Sequence, residues 1–207
     1  MRIPAHLFYG RLLLALAGGL FCAALSWFNW VQPLDRVTYD IFNEAAPLPS
    51  ADDIVIVGVD ESSLRELGRW PWPRENHVEL LRQLHNANVA AVAIDMLFAE
   101  AYHDFPEVDQ LLARAVIQLG STVLPVFIGQ TGADRQLHEI KPIEPLASAA
   151  AALGHVHIEV DSDGVARTVF LREGLGAPNW PHFTVALASV LDLNISPLPG
   201  VSDHKVL

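Results

Sequence analysis

Asp60 and Glu61 close one apolar run, residues 54–59, and Asp95 closes another, residues 89–94. Acids at the carboxyl ends of neighbouring parallel strands converge on the crevice where open α/β sheets take ligands, so these three could hold a cation such as Mg²⁺ or meet a polar ligand. A phosphatase with an aspartyl nucleophile would need a second Asp two residues after the first, and position 62 is Ser. The third option pairs Asp60 or Glu61 with Arg69 or Arg74, joining a strand end to the segment that follows it. That segment is Gly68-Arg69-Trp70-Pro71-Trp72-Pro73-Arg74. Pro71 and Pro73 fix their own backbone angle and drive Trp70 and Trp72 toward extended conformations, so the stretch is stiff before it touches anything. As a strut, it would pack its indoles on a sheet edge. As a ligand wall, it would offer Arg69 and Arg74 as cationic forks for a carboxylate or phosphate between the rings.

Further along, Asp161-Ser162-Asp163-Gly164 has the chemistry of a tight turn, with Asp at the corner and Gly164 free to take a positive φ. A calcium loop would need a third ligand and a distant glutamate, and both are missing. Arg167 beyond the turn is placed to pair with His157 or Glu159, or to meet an anionic ligand. His155 and His157 alternate, so a strand would project both to one face. They are either satisfied surface histidines or a metal pair, and no third His or Cys lies nearby in sequence. The chain shows no Gly-rich phosphate loop, no Ser-His-Asp order and no cysteine nucleophile. No catalytic residue, metal or cofactor is therefore predicted. The candidate ligand contacts are Asp60, Glu61, Arg69, Trp70, Trp72, Arg74, Asp95 and Arg167, while Asp161, Asp163 and Gly164 build a turn.

These side chains require elements to position them. The continuous β-branched run at 54–59 predicts a strand covered on both faces. Asn76, with Glu79 three residues on, predicts the start of a helix reaching Asn88 and carrying Val78, Leu80, Leu81 and Leu84. A buried strand at 89–94, a helix at 106–119 closed by Gly120 and a strand at 122–128 repeat the unit. A loop at 129–144, an Ala-rich helix at 146–153 stopped by Gly154, an antiparallel hairpin of 155–160 with 165–171, and a helix at 181–193 complete the pattern. Strand and helix in alternation point to right-handed crossovers. The fold expected is α/β: a mostly parallel sheet with flanking helices plus an antiparallel hairpin, preceded by one transmembrane helix.

That helix is read from residues 12–31, twenty positions without a charge, enough at about 1.5 Å per residue to span a hydrocarbon core of about 30 Å. Trp27 and Trp30 suit an interfacial belt, and Arg2 and Arg11 place the N-terminus in the cytoplasm. A cleaved signal peptide ending near Ala24 is the competing reading, but the apolar stretch is longer than a usual signal core. Phe21 before Cys22, the sole cysteine, argues against lipidation. Within 32–53, Leu34, Val37, Ile41 and Phe42 recur at helical spacing until Pro47 and Pro49. The chain carries 13 basic and 24 acidic residues, and Arg2 and Arg11 are the only charges of the first eleven positions. An acidic body repels phosphate, so nucleic acid is not an expected partner.

The blocks VDESS, LGRWPWPR, AIDMLFAE and GHVHIEVDSDGVARTVFL, followed by a helix led by Pro-His-Phe, occur in an order that resembles the CHASE family of type two. This is an extracytoplasmic sensor domain of bacterial membrane receptors. The resemblance runs from about residue 34 to the end. It implies an N-terminal membrane helix, a sensor outside the cytoplasm, further membrane helices and a cytoplasmic output domain such as a cyclase, a diguanylate cyclase or a kinase. The expected division is a cytoplasmic N-terminus at 1–11, a transmembrane helix at 12–31, a juxtamembrane linker at 32–53 and a sensor domain at 54–207, with the remainder of the receptor absent. The chain is thus expected to be a non-enzymatic sensory input at the plasma membrane, binding a small molecule or sensing an envelope state and acting as a homodimer. The alternatives are a stand-alone anchored interaction module and a metal-dependent, phosphatase-like enzyme.

Overall fold

A computed structural model of the chain describes residues 5–27, 32–47, 51–102, 105–130, 136–193, 195 and 204–207. They belong to two units, Met1–Gly58 and Val59–Leu207.

The first unit holds helices α1 (Ala5–Trp27) and α2 (Gln32–Ala45). Arg11 is the only Lys, Arg, Asp or Glu of α1. Among the described residues no helix is long and apolar enough to cross a membrane. The crossing expected over 12–31 is therefore not seen: 12–27 belongs to α1, and 28–31 lie outside the described residues. In α2 the expected spacing holds, with Leu34, Val37, Ile41 and Phe42 all exposed along the helix. The Thr38 hydroxyl donates to the Leu34 carbonyl at 2.8 Å, and the helix ends before Pro47. Residues 54–59 correct a further expectation. They form no strand, and Ile56 is 90% exposed. β-Branched composition favours a pleated surface only where a neighbouring strand supplies ladder bonds and side-chain packing, and no described strand pairs with this run.

In the second unit, α3 (Glu61–Leu67) and α4 (Arg74–Asn86) precede β1 (Val92–Ala93), α5 (Pro106–Leu119), β2 (Thr122–Gln130), β3 (Leu137–Ile140), α6 (Glu144–Ala149) and β4 (Ala152–His155). The hairpin β5 (Glu159–Val160) and β6 (Ala166–Thr168) follows, then β7 (Arg172–Gly174), β8 (Trp180–Pro181), α7 (Phe183–Val190) and β9 (His204–Val206). Helix α5 forms where the sequence predicts it. Pro106 lacks only an amide that would be orphaned anyway, and Glu107 and Asp109 sit at the positive end of the helix dipole. Gly120 closes it in the left-handed region at φ 79°. Its face Val108, Leu112, Ala113 and Val116 is buried. Leu112, Ala113 and Val116 join Leu81 of α4, Phe98, Leu124 of β2 and Leu146 of α6 in one core.

Strand β2 is the centre of the main sheet. β1 and β4 pair with it in parallel, and β3 pairs antiparallel with its far end, from Phe127 to Gln130. β5 pairs antiparallel with β6 in a second sheet. In a third, β7 pairs antiparallel with β8 and parallel with β9. The architecture is mixed α/β with several sheets rather than a mostly parallel one, because the second half of the chain folds into short local pairings. The Ala-rich run 146–153 is split: helix ends at Ala149 and Ala152 already pairs with Val123 of β2. Gly154 makes that possible. A Cβ there would come within 2.7 Å of the Phe183 Cα at the start of α7, so only glycine lets helix and strand approach so closely.

Candidate functional site

The tryptophan segment sits between α3 and α4. The Trp72 indole N–H donates to the Gly68 carbonyl at 2.8 Å, folding the segment back on the glycine that ends α3. Trp70 meets Trp72 edge-on at 5.6 Å and His77 of α4 at 5.8 Å, and His77 meets the core Phe98 at 5.5 Å. Arg74, the first residue of α4, pairs with Asp109 of α5 and donates to the Glu100 carbonyl. Its guanidinium lies 5.6 Å from the ring centres of both Phe98 and Tyr102. The Tyr102 amide donates to Asp109 Oδ2 at 3.0 Å, so that carboxylate also fixes the loop before α5. The Arg74 and Asp109 side chains are 12% and 5% exposed. Burial lowers the Arg74 pKa, and it lowers that of His77 with help from the neighbouring Arg74 charge. Arg74 is therefore a bolt between α4 and α5 and not a fork open to solvent. This is the geometry of a strut. Trp72→Ala should cost about 2 kcal/mol in urea unfolding, less than the roughly 3–5 kcal/mol of a fully buried aromatic because Trp72 is only half-buried. An unchanged unfolding midpoint would contradict the strut.

Asp60 caps α3. Its Oδ1 accepts from the Ser63 amide at 2.8 Å and from the Ser63 hydroxyl at 2.7 Å. These bonds to Ser63, the backbone one first, hold its carboxyl below the usual aspartate range. The pairing of Asp60 or Glu61 with Arg69 or Arg74 is not the one formed, since Asp60 is turned to its own helix and Arg74 to Asp109. Glu61 is exposed in the first turn of α3, and Asp95 is exposed beyond β1. With 54–59 unpaired, the two acidic ends do not close adjacent strands. Among the described residues no group of three or more His, Cys, Asp or Glu could hold a metal ion.

The 161–164 turn forms as its composition predicts. The Gly164 amide donates to the Asp161 carbonyl at 2.9 Å, the Asp161 amide to the Val165 carbonyl at 3.0 Å, and Gly164 adopts φ 84°. Arg167 reaches the turn that precedes it. It bridges back to Asp161 Oδ2 at 2.7 Å and Asp163 Oδ2 at 2.9 Å, clamping the hairpin.

One cluster centres on a residue that the sequence does not single out. Glu173 of β7 is 1% exposed, and its carboxylate accepts from His157 Nδ1 at 2.8 Å to both oxygens. His155 Nδ1 lies 3.6 Å from Glu173 Oε2, and Lys205 of β9 lies 3.9 Å from Oε1 while pairing with Glu159. The ring of His182 stands edge-on to His155 at 5.1 Å. The expected common orientation of His155 and His157 is thus present, directed at a carboxylate. Beside the alternating histidines, the sequence signal for the carboxylate is an acid, Glu173, set in a largely apolar stretch.

The family comparison covers nearly the whole chain, with the CHASE2 domain matching residues 13–204. The chain belongs to the CHASE2 family. No curated protein and no solved structure matches it. CHASE2 domains are sensory domains of signalling receptors, so their chemistry is recognition and a change of state rather than turnover. Of the candidate contacts in this CHASE2 domain, Arg74 and Arg167 are held by carboxylates, Asp60 by a helix terminus and Trp72 by Gly68. Glu61, Arg69, Trp70 and Asp95 remain exposed.

Proposed function

We propose that this chain is the sensory input of a membrane signalling receptor, placed outside the cytoplasm with its N-terminus inside, working as a homodimer and relaying to an output domain of the cyclase, diguanylate cyclase or kinase type. The match to the CHASE2 family over residues 13–204 carries this reading. Attachment through the apolar segment 12–31 is supported by its twenty charge-free positions in sequence and by the basic Arg2 and Arg11 before it. A small ligand would act by binding two arrangements of the domain unequally, and it can shift their equilibrium only by that difference in affinity. The contacts open to it are Arg69 and the ring of Trp70, which is 45% exposed. A cationic side chain and an exposed aromatic ring would suit a small anion.

Topology gives the direct test. Alkaline phosphatase fused after Leu207 folds into active enzyme only outside the cytoplasm, so an active fusion in the membrane fraction is the expected result. An inactive fusion, paired with a fluorescent cytoplasmic reporter at the same position, would overturn the placement.

A further inference from the structure

Glu173 is the meeting point of elements far apart in sequence, and the hydrogen bonds around it fix where protons stand. The Phe170 carbonyl can only accept, so the His155 Nε2 that lies 3.1 Å from it carries the ring hydrogen. His155 Nδ1 is then a bare lone pair, fully buried and without a hydrogen-bond partner, facing a carboxylate oxygen 3.6 Å away. Two acceptors facing each other in a site closed to water leave room for one thing to improve the contact, a proton on Nδ1.

We propose that His155 and Glu173 form a proton-sensitive latch for β9, in which a proton on His155 takes Glu173 from Lys205, leaves that lysine to Glu159 alone and loosens the strand on β7. The cation balance supports it. Glu173 already serves His157 and Lys205, and among the described residues Glu159 is the other acid that meets Lys205. An imidazolium at His155 sits closer to Glu173 than Lys205 does, at 3.6 against 3.9 Å, and it cannot move away, because β4 is fixed on β2 and its Nε2 is tied to Phe170. Lys205 is 30% exposed and can turn to water. Among the described residues, the charged or titratable groups on the elements packed around His155 are His157, which follows β4, Glu173 and Arg172 of β7, His182, and Lys205 and His204 of β9. β2, β8 and α7 contain no ionisable residue. Arg172 is directed to the Pro178 and Asn179 carbonyls. What the latch holds is short: β9 pairs with β7 through Arg172 to Gly174, and the Leu207 amide donates to the Gly174 carbonyl at 3.0 Å.

The inference deepens the sensory reading and takes its meaning from it, with the proton as a signal read by a domain outside the cytoplasm. Amide hydrogen exchange on the whole chain, corrected for intrinsic rates, tests it. Between pH 7 and pH 4 the Leu207 amide should lose at least tenfold of its protection, while amides of β2 such as Leu124 keep theirs. His155→Gln, which cannot take the proton, should hold the Leu207 amide constant over the same range. Should that variant fail to fold, the wild-type comparison of β9 with β2 still decides. A flat Leu207 profile, or loss of protection at Leu207 and Leu124 together, would overturn the latch, and either leaves the phosphatase-fusion result standing.

Discussion

Replacing Asp109 by alanine in the whole chain should lower its unfolding free energy by about 3–5 kcal/mol, because Arg74 would be left buried beside two aromatic rings with no carboxylate to meet it. The loss is larger than the net strength of the pair. Much of it is the desolvation of an uncompensated guanidinium, the same burial that lowers the Arg74 pKa. The Tyr102 amide loses its acceptor as well. The double variant Arg74→Met with Asp109→Leu should therefore recover most of the stability lost in Asp109→Ala, since a well-packed apolar pair often matches a buried ion pair. Urea unfolding of Arg74→Met, Asp109→Leu and the double variant closes the cycle, with Asp109→Ala measured beside them. If Asp109→Ala unfolds within 1 kcal/mol of wild type, Arg74 is not the bolt between α4 and α5, and Arg74 returns to the candidates for a ligand.

Stability and function divide along this line. The segment from Trp70 to Arg74 had two readings in sequence because a stiff Pro-spaced aromatic stretch serves either one. Which holds depends on Asp109, thirty-five positions beyond Arg74. No local pattern announces that partner, since an acid near a helix N-terminus is already explained by the helix dipole. Where the determinants are local, the sequence sufficed: Pro106 and Gly120 bound α5, the spacing from Leu34 to Phe42 marks α2, and Asp161 to Gly164 make their turn. Where the determinant is a partner strand, composition misled. Residues 54–59 have the makings of a buried strand and stand exposed, whereas Ala152 and Leu153, which look helical, pair with β2. The Glu173 cluster was half legible. His155 and His157 were seen to share a direction, but their target comes from β7, and the lysine that completes it from the last strand of the chain.

Acid should find this cluster first. Burial, reinforced by the nearby His182, pushes the His155 pKa down from 6.5 to about 4 against the opposing pull of Glu173. The sign follows from proton binding. Between those two values the unfolded chain takes up a proton at this residue and the folded chain does not, so stability falls as pH falls. The contribution is fully present above pH 6.5 and is lost by about pH 4, where it reaches about 3 kcal/mol. Urea unfolding at pH 7 and pH 4 should show that loss in the wild type, on top of whatever the carboxylates add, and His155→Gln should show a difference smaller by the same amount. Identical pH dependence in the two proteins would remove His155 from the acid response. The latch sets a limit on the same number. If β9 releases before the domain unfolds, the folded remainder can take the proton on His155, the two states then bind equally below that point, and the loss levels off short of 3 kcal/mol. A measured plateau together with selective exchange at Leu207 would show release preceding unfolding. The full loss with uniform exchange would show the cluster behaving as a buried core histidine with no switch attached.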